Sequence, residues 1–204
     1  TGVAALARTA TAHGLTLVHI SSDYVFDGAR DGSYRESEPM SPLGVYGQTK
    51  AAGDALVSTV PRHYVVRTSW VIGDGKNFVR TMESLAAKGI SPRVVNDQFG
   101  QLTFAADLAA GIAHLLAVRP AVGTYNLTNS GPPRSFYEIA QDVFELCGRE
   151  RSAVSPIDTA SYNAGKVVSP RPMRSTLDIA KIIATGFSPA DADQRLAAYV
   201  ASLR

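Results

Sequence analysis

The chain has 204 residues, 45% of them hydrophobic, and a formal net charge of +2. Such a length and composition suit one large domain, or one and a half smaller ones, with a proper core. The small charge gives no reason to invoke nucleic acid, and no apolar run approaches the ~20 residues of a bilayer span. Cys147 is the only cysteine. That excludes an intramolecular disulfide framework and a cysteine-based zinc site, and it fits a reducing cytoplasm.

The first predicted element is a helix over residues 2–13, closed by Gly14 as a C-terminal cap. The chain opens directly into this helix at Thr1, without Met and with no strand before it, which predicts a fragment of a longer protein. Leu15 to Ser21 is a short apolar run with a β-branched centre, expected to form a buried strand. A loop rich in Gly, Pro, Ser and charge follows from Asp27 to Leu43, and loops of that length are either functional or disordered. The next helix runs from Val45 to Ser58 and is ended by Pro61. Tyr64 to Ser69 is a second buried strand, Gly73-Asp74-Gly75 a turn, and Phe78 to Lys88 a helix stopped by Gly89. Strand, helix, strand, helix is the signature of βαβ units with parallel pairing. In such sheets ligands collect at the carboxyl ends of the strands, where Ser21-Ser22-Asp23 and Thr68-Ser69-Trp70 fall.

Beyond residue 90 the rhythm changes. Arg93 to Asn96 is a short strand leading into Asp97-Gln98, expected to line or shape a cleft. Ala105 to Val118 is an apolar helix, and Gly123 to Thr128 a strand. Asn126-Leu127-Thr128 matches a glycosylation sequon by chance. Ser135 and Glu138 read as a capping box opening a helix to Leu146, with Cys147 buried at its end. Ser188-Pro189 reads as a cap with proline at the first helical position, starting a last helix through Leu203. A soft boundary near residue 90 divides a parallel α/β part, 1–90, from a smaller mixed part, 91–204, some of whose elements return to the sheet.

Chemistry concentrates at Tyr46 and Lys50. Four residues is about one helical turn, so both side chains share a face. An ammonium near a phenol favours the phenolate and draws its pKa down from about 10. Ketone reduction needs a hydride source, a proton for the developing alkoxide, and dipoles that stabilise that charge. Tyr46 can give the proton, Lys50 can tune it and reach a cofactor ribose, and Ser22 can bond the substrate oxygen. No side chain donates hydride, so a nicotinamide or flavin is required. The spacing alone is weak, since a solvated Lys beside a half-buried Tyr is common. His13, His19, His63 and His114 show no metal-ligand spacing, and the sequence identifies no metal site.

His19-Ile20-Ser21-Ser22-Asp23-Tyr24-Val25-Phe26-Asp27-Gly28 resembles the S-T-D-Y-V-F-D-G segment of dTDP-4-dehydrorhamnose reductases, which are extended short-chain dehydrogenase/reductases. The resemblance continues in order through Pro42-Leu43-Gly44-Val45-Tyr46-Gly47, Thr49-Lys50, Arg67-Thr68-Ser69-Trp70-Val71, Asp97-Gln98-Phe99-Gly100, Tyr125-Asn126-Leu127-Thr128-Asn129 and Arg171-Pro172. It implies part of a Rossmann-like parallel sheet flanked by helices, with a smaller mixed α/β substrate-binding region. It implies Tyr46 as catalytic acid/base, Lys50 as its partner on the nicotinamide ribose, and Ser22, in place of a Thr, on the reacting oxygen. Asp23 falls at a substrate-contacting position. Trp70 matches a pocket aromatic, with core packing as the competing reading.

The implied reaction is NADPH- or NADH-dependent reduction of the 4-keto group of dTDP-4-dehydro-L-rhamnose. A homodimer is the implied assembly, and some members use a divalent cation at a dimer contact. The glycine-rich dinucleotide fingerprint of the family does not occur among the seventeen glycines, so these residues alone are expected to bind dinucleotide weakly. Two other readings stand beside this one. A non-catalytic binding subunit, like the regulatory subunit of methionine adenosyltransferase, would not need Ser22, Tyr46 and Lys50 together. A sugar-nucleotide epimerase or dehydratase shares Tyr-x-x-x-Lys but recycles a held NAD.

Overall fold

The computed structural model describes residues 2–204. In chain order the elements are α1 (Gly2–Ala12), β1 (Leu17–Ser22), α2 (Val45–Val57), β2 (His63–Thr68), β3 (Val71–Ile72), α3 (Phe78–Ala87), β4 (Arg93–Val95), β5 (Phe99–Gly100), β6 (Thr103–Phe104), α4 (Ala105–Val118), β7 (Gly123–Asn126), β8 (Arg134–Ser135), α5 (Phe136–Leu146), β9 (Ser155–Ile157), α6 (Thr159–Asn163), α7 (Ala180–Ile183) and α8 (Ala192–Ser202).

The main sheet is parallel, in the order β1–β2–β7. β2 lies in the middle and all six of its residues are buried, the polar His63, Arg67 and Thr68 included. Its side chains alternate between two helical layers. Tyr64 and Val66 join Leu108 and Leu115 of α4 and Ile182 of α7 in one core. Arg67 points the other way and donates from Nε to Asp54 Oδ2 of α2 at 3.0 Å, with both side chains about 5% exposed or less. The register sets Ser22 opposite Thr68, so both strands deliver their last residues to one edge.

The long loop 27–43 is pinned rather than free. Tyr34 stacks on Phe26 with centroids 4.3 Å apart, and its backbone pairs with Thr176 and Asp178. Gly28 has φ +71 there, and a Cβ on it would lie 2.5 Å from Pro172 Cβ. Asn126 is fully buried, and its Nδ2 donates to Tyr34 O and Asp178 O. The sequon therefore sits in the core of the sheet edge.

A second core packs α3, α5 and α8 around short strands. Val79, Met82, Ile139, Val143, Phe144, Leu196 and Val200 are its buried centre. The capping box at the start of α5 forms as expected, with Ser135 and Glu138 bonded reciprocally. Two expectations need correcting. Ser188-Pro189 does not start the last helix. Residues 188–191 run extended against Ser130, and Asp191 caps α8 by accepting from Gln194 N. Cys147 is not a buried helical residue but the half-buried C-cap that follows α5.

Candidate active site

The ends of β1 and β2 and the start of α2 enclose an open cleft of about 330 Å³. Ser22, Asp23, Tyr24, Tyr46, Lys50 and Trp70 all line it. All five side chains singled out by sequence are thus brought together, although they come from three separate stretches of chain.

Each is placed by local chemistry. Ser22 ends β1 with extended backbone and caps the short turn Asp23–Val25, its Oγ accepting from Tyr24 N at 3.2 Å. α2 begins at Val45, so Tyr46 lies in its first turn and Lys50 one turn on. Gly47 is required between them. A Cβ at that position would lie 2.1 Å from Tyr24 O, so the helix start approaches the turn more closely than any side chain allows. That approach sets the Tyr24 and Tyr46 rings edge to face, centroids 5.6 Å apart. Tyr46 remains 54% exposed to the cleft. Lys50 Nζ donates one hydrogen to Ile20 O at 2.5 Å, which holds the ammonium beside β1 with its other two N–H bonds unpaired among the described residues.

Asp23 lies deepest of the five. Its carboxyl is only 1% exposed, and Oδ1 accepts the Ser22 hydroxyl at 2.9 Å. Burial pushes it up to about 6, against the pull of the Ser175 and Ser22 hydroxyls and nearby backbone N–H groups. Trp70 serves both readings at once. It edges the cleft, yet its ring stacks on Phe136 at 3.8 Å over Gly100, whose missing Cβ leaves the room. It also holds φ +40, a left-handed conformation uncommon for a bulky residue. Thr68 and Ser69 commit their hydroxyls to Thr103 Oγ1 and Gln101 O.

A larger cleft of about 630 Å³ opens between α3, β4 and the 162–171 segment. Phe78, Phe136 and Tyr162 give it aromatic walls, and Arg93, Lys166 and Arg171 give it positive charge. Gln98 lines it, while Asp97 turns away to accept from Thr159 N and Oγ1. Sequence reasoning missed this pocket. Its walls are up to 93 positions apart (Phe78 to Arg171), and Arg171 stood out only in the Arg171-Pro172 match.

A family model described as the RmlD substrate binding domain matches residues 1–204. The chain belongs to this dTDP-4-dehydrorhamnose reductase family. It is 38% identical over 203 residues to the dTDP-4-dehydrorhamnose reductase of Aggregatibacter actinomycetemcomitans, covering 93% of this chain and 68% of that one. It is 41% identical over 170 residues to the dTDP-4-dehydrorhamnose reductase of Escherichia coli (strain K12), covering 80% and 56%. Among solved structures it resembles dTDP-4-dehydrorhamnose reductase from Bacillus anthracis str. Ames in complex with NADP. There the TM-score is 0.88 at 32% identity, covering 100% of this chain and 71% of that one. The chain spans 56–68% of these two curated relatives.

The reductase family implies a nicotinamide cofactor, and the residues present fit its reactive end. Lys50 offers two free donors and Tyr46 a half-exposed phenol beside an open cleft at the carboxyl ends of parallel strands. No helix among the described residues is long and apolar enough to cross a membrane.

Proposed function

We propose that the protein reduces the 4-keto group of dTDP-4-dehydro-L-rhamnose with NADPH, giving dTDP-L-rhamnose. The observation that carries this reading is the convergence of Ser22, Tyr46 and Lys50 on one cleft at the carboxyl ends of β1 and β2. A nicotinamide bound beside Lys50 would supply the hydride. Tyr46 gives its phenolic proton to the alkoxide oxygen that develops at C4. Lys50, one turn along the same helix face, offsets the negative charge left on the phenol and offers its free N–H bonds to the ribose. Ser22 holds the reacting oxygen in place.

The second cleft suits the other half of the substrate. Its aromatic walls can sandwich a base, and Arg93, Lys166 and Arg171 can meet a diphosphate. Trp70 and Phe136 form the partition between the two clefts. In this reading residues 1–90 carry proton transfer and residues 91–204 carry most of the sugar-nucleotide contacts, with β7 returning to the sheet. A cytoplasmic location fits the lone free thiol.

The test is stoichiometry. The whole protein, mixed with the 4-keto sugar nucleotide and NADPH, should consume one NADPH for each sugar reduced. Sugar conversion without net NADPH consumption would place the chemistry with enzymes that recycle their nicotinamide, and would overturn the reading.

A further inference from the structure

Ser22 has one hydroxyl hydrogen and two acceptor lone pairs. The hydrogen goes to Asp23 Oδ1 at 2.9 Å, and one lone pair takes the Tyr24 N–H at 3.2 Å. What remains for the cleft is a lone pair. An oxygen gaining negative charge needs a donor, and a lone pair repels it. While Asp23 is ionised, the Ser22 hydroxyl therefore points the wrong way for ketone reduction. Swinging its hydrogen to the substrate would take a hydrogen bond from a carboxylate that is 1% exposed.

Protonation of Asp23 resolves both problems. A neutral carboxyl can give its hydrogen to the free Ser22 lone pair, and Ser22 can then give its own to the cleft. The groups facing Asp23 leave room for this. Its own turn supplies Ser22 and Tyr24, α2 supplies Tyr46 and Lys50 across the cleft, and the 171–175 segment supplies Arg171, beside Tyr24, and Ser175. Among the described residues no cation forms an ion pair with the carboxyl, and Lys50 is tied to Ile20 O. Burial has already moved the group to about 6, within reach of a further shift on binding.

We propose that Asp23 is a positioning residue that takes up a proton when a 4-keto sugar binds, turning Ser22 from an acceptor into a donor aimed at the keto oxygen. This rests on the reductase reading of the cleft. The proton comes from solvent through the open cleft and returns there on release. The proton that ends on the product still comes from Tyr46, so the overall reaction is unchanged. A ketone can only accept a hydrogen bond, whereas the alcohol product can donate to the Ser22 lone pair. Proton uptake should therefore accompany the keto sugar and not the hydroxy sugar.

Calorimetric titration of the whole protein in buffers of different ionisation enthalpy, near neutral pH and without NADPH, counts those protons. We expect close to one proton taken up per 4-keto sugar bound, close to none per hydroxy product, and loss of the difference in Ser22→Ala. In kinetics, wild-type kcat/KM should fall by about three- to tenfold as pH rises through about 6. Asp23→Asn, whose amide donates to Ser22 at every pH, should lose that fall. Equal proton uptake for both sugars, or a wild-type pH profile in Asp23→Asn, would overturn the inference while an active wild type leaves the reductase reading standing. A folded wild type that never oxidises NADPH with the keto sugar overturns both.

Discussion

Near neutral pH Asp23 is a buried carboxylate, and the fold bears that cost. Its folded pKa, raised from 3.8 to about 6 mainly by burial, means the folded chain holds the proton more tightly than the unfolded one. The stabilising contribution is complete below about pH 4 and is lost as pH rises through about 6. The penalty at neutral pH is on the order of 2–3 kcal/mol. Asp23→Asn should thus raise the melting temperature near neutral pH by several degrees, about 2–4 °C per kcal/mol at this size. The gain should vanish near pH 4, and thermal denaturation at the two pH values checks it. An equal gain at both would place the penalty elsewhere. Tyr46, Lys50 and Ser22 were legible in the sequence because helical spacing and a strand end fix where such side chains point. The burial of Asp23 was not, since nothing local says whether a carboxylate after a strand faces the cleft or the core. The left-handed Trp70 was hidden for the same reason, because its ring packs on Phe136 and Gly100, far along the chain, rather than on its neighbours.

Elements dock through single points that can be struck one at a time. Gly47 lets α2 touch the Tyr24 carbonyl, and Gly47→Ala would force the helix start away by more than an ångström. Displacement of Tyr46 by that amount should lower kcat about 10- to 100-fold, with a smaller loss of stability, about 1–3 kcal/mol. Steady-state kinetics beside urea unfolding separates the two effects. The Arg67–Asp54 pair ties β2 to α2 in the opposite layer. Arg67→Ala should destabilise by about 3–5 kcal/mol, because it strands a buried carboxylate. A shift in the urea midpoint worth less than 1 kcal/mol would show that the pair carries little. Most helices and both early strands were readable from period and caps, within one or two residues. The start of α8 was not, because Ser188-Pro189 has the form of a cap but is held extended by Ser130, 58 positions upstream of Ser188. The two-residue strands β3, β5, β6 and β8 carry no period at all.

At the scale of the molecule, β1 and β7 are the edge strands of the parallel sheet, and β1 has no strand partner on its outer side among the described residues. Ile20 is 46% exposed on it, and Leu6 and Leu15 are more than half exposed nearby. An open, apolar strand edge promotes association between chains. Residues 1–204 on their own should self-associate as concentration rises, and sedimentation velocity measures this. A monomer across the whole concentration range would count against it. The parallel sheet and its reactive edge were predictable from the alternation of strands and helices, whereas the second cleft was not, since it forms where α3, β4 and the 162–171 segment meet.

In the proposed reaction Tyr46, which shares its cleft with Lys50 and Ser22, delivers the proton for reduction of a sugar-nucleotide ketone. The most direct measurement is the rate of NADPH oxidation by the whole protein with the 4-keto sugar, in wild type and Tyr46→Phe, at equal folded fraction. A fall of about 10²- to 10⁴-fold in Tyr46→Phe, with sugar binding intact, is the predicted result. An unchanged rate would contradict the account.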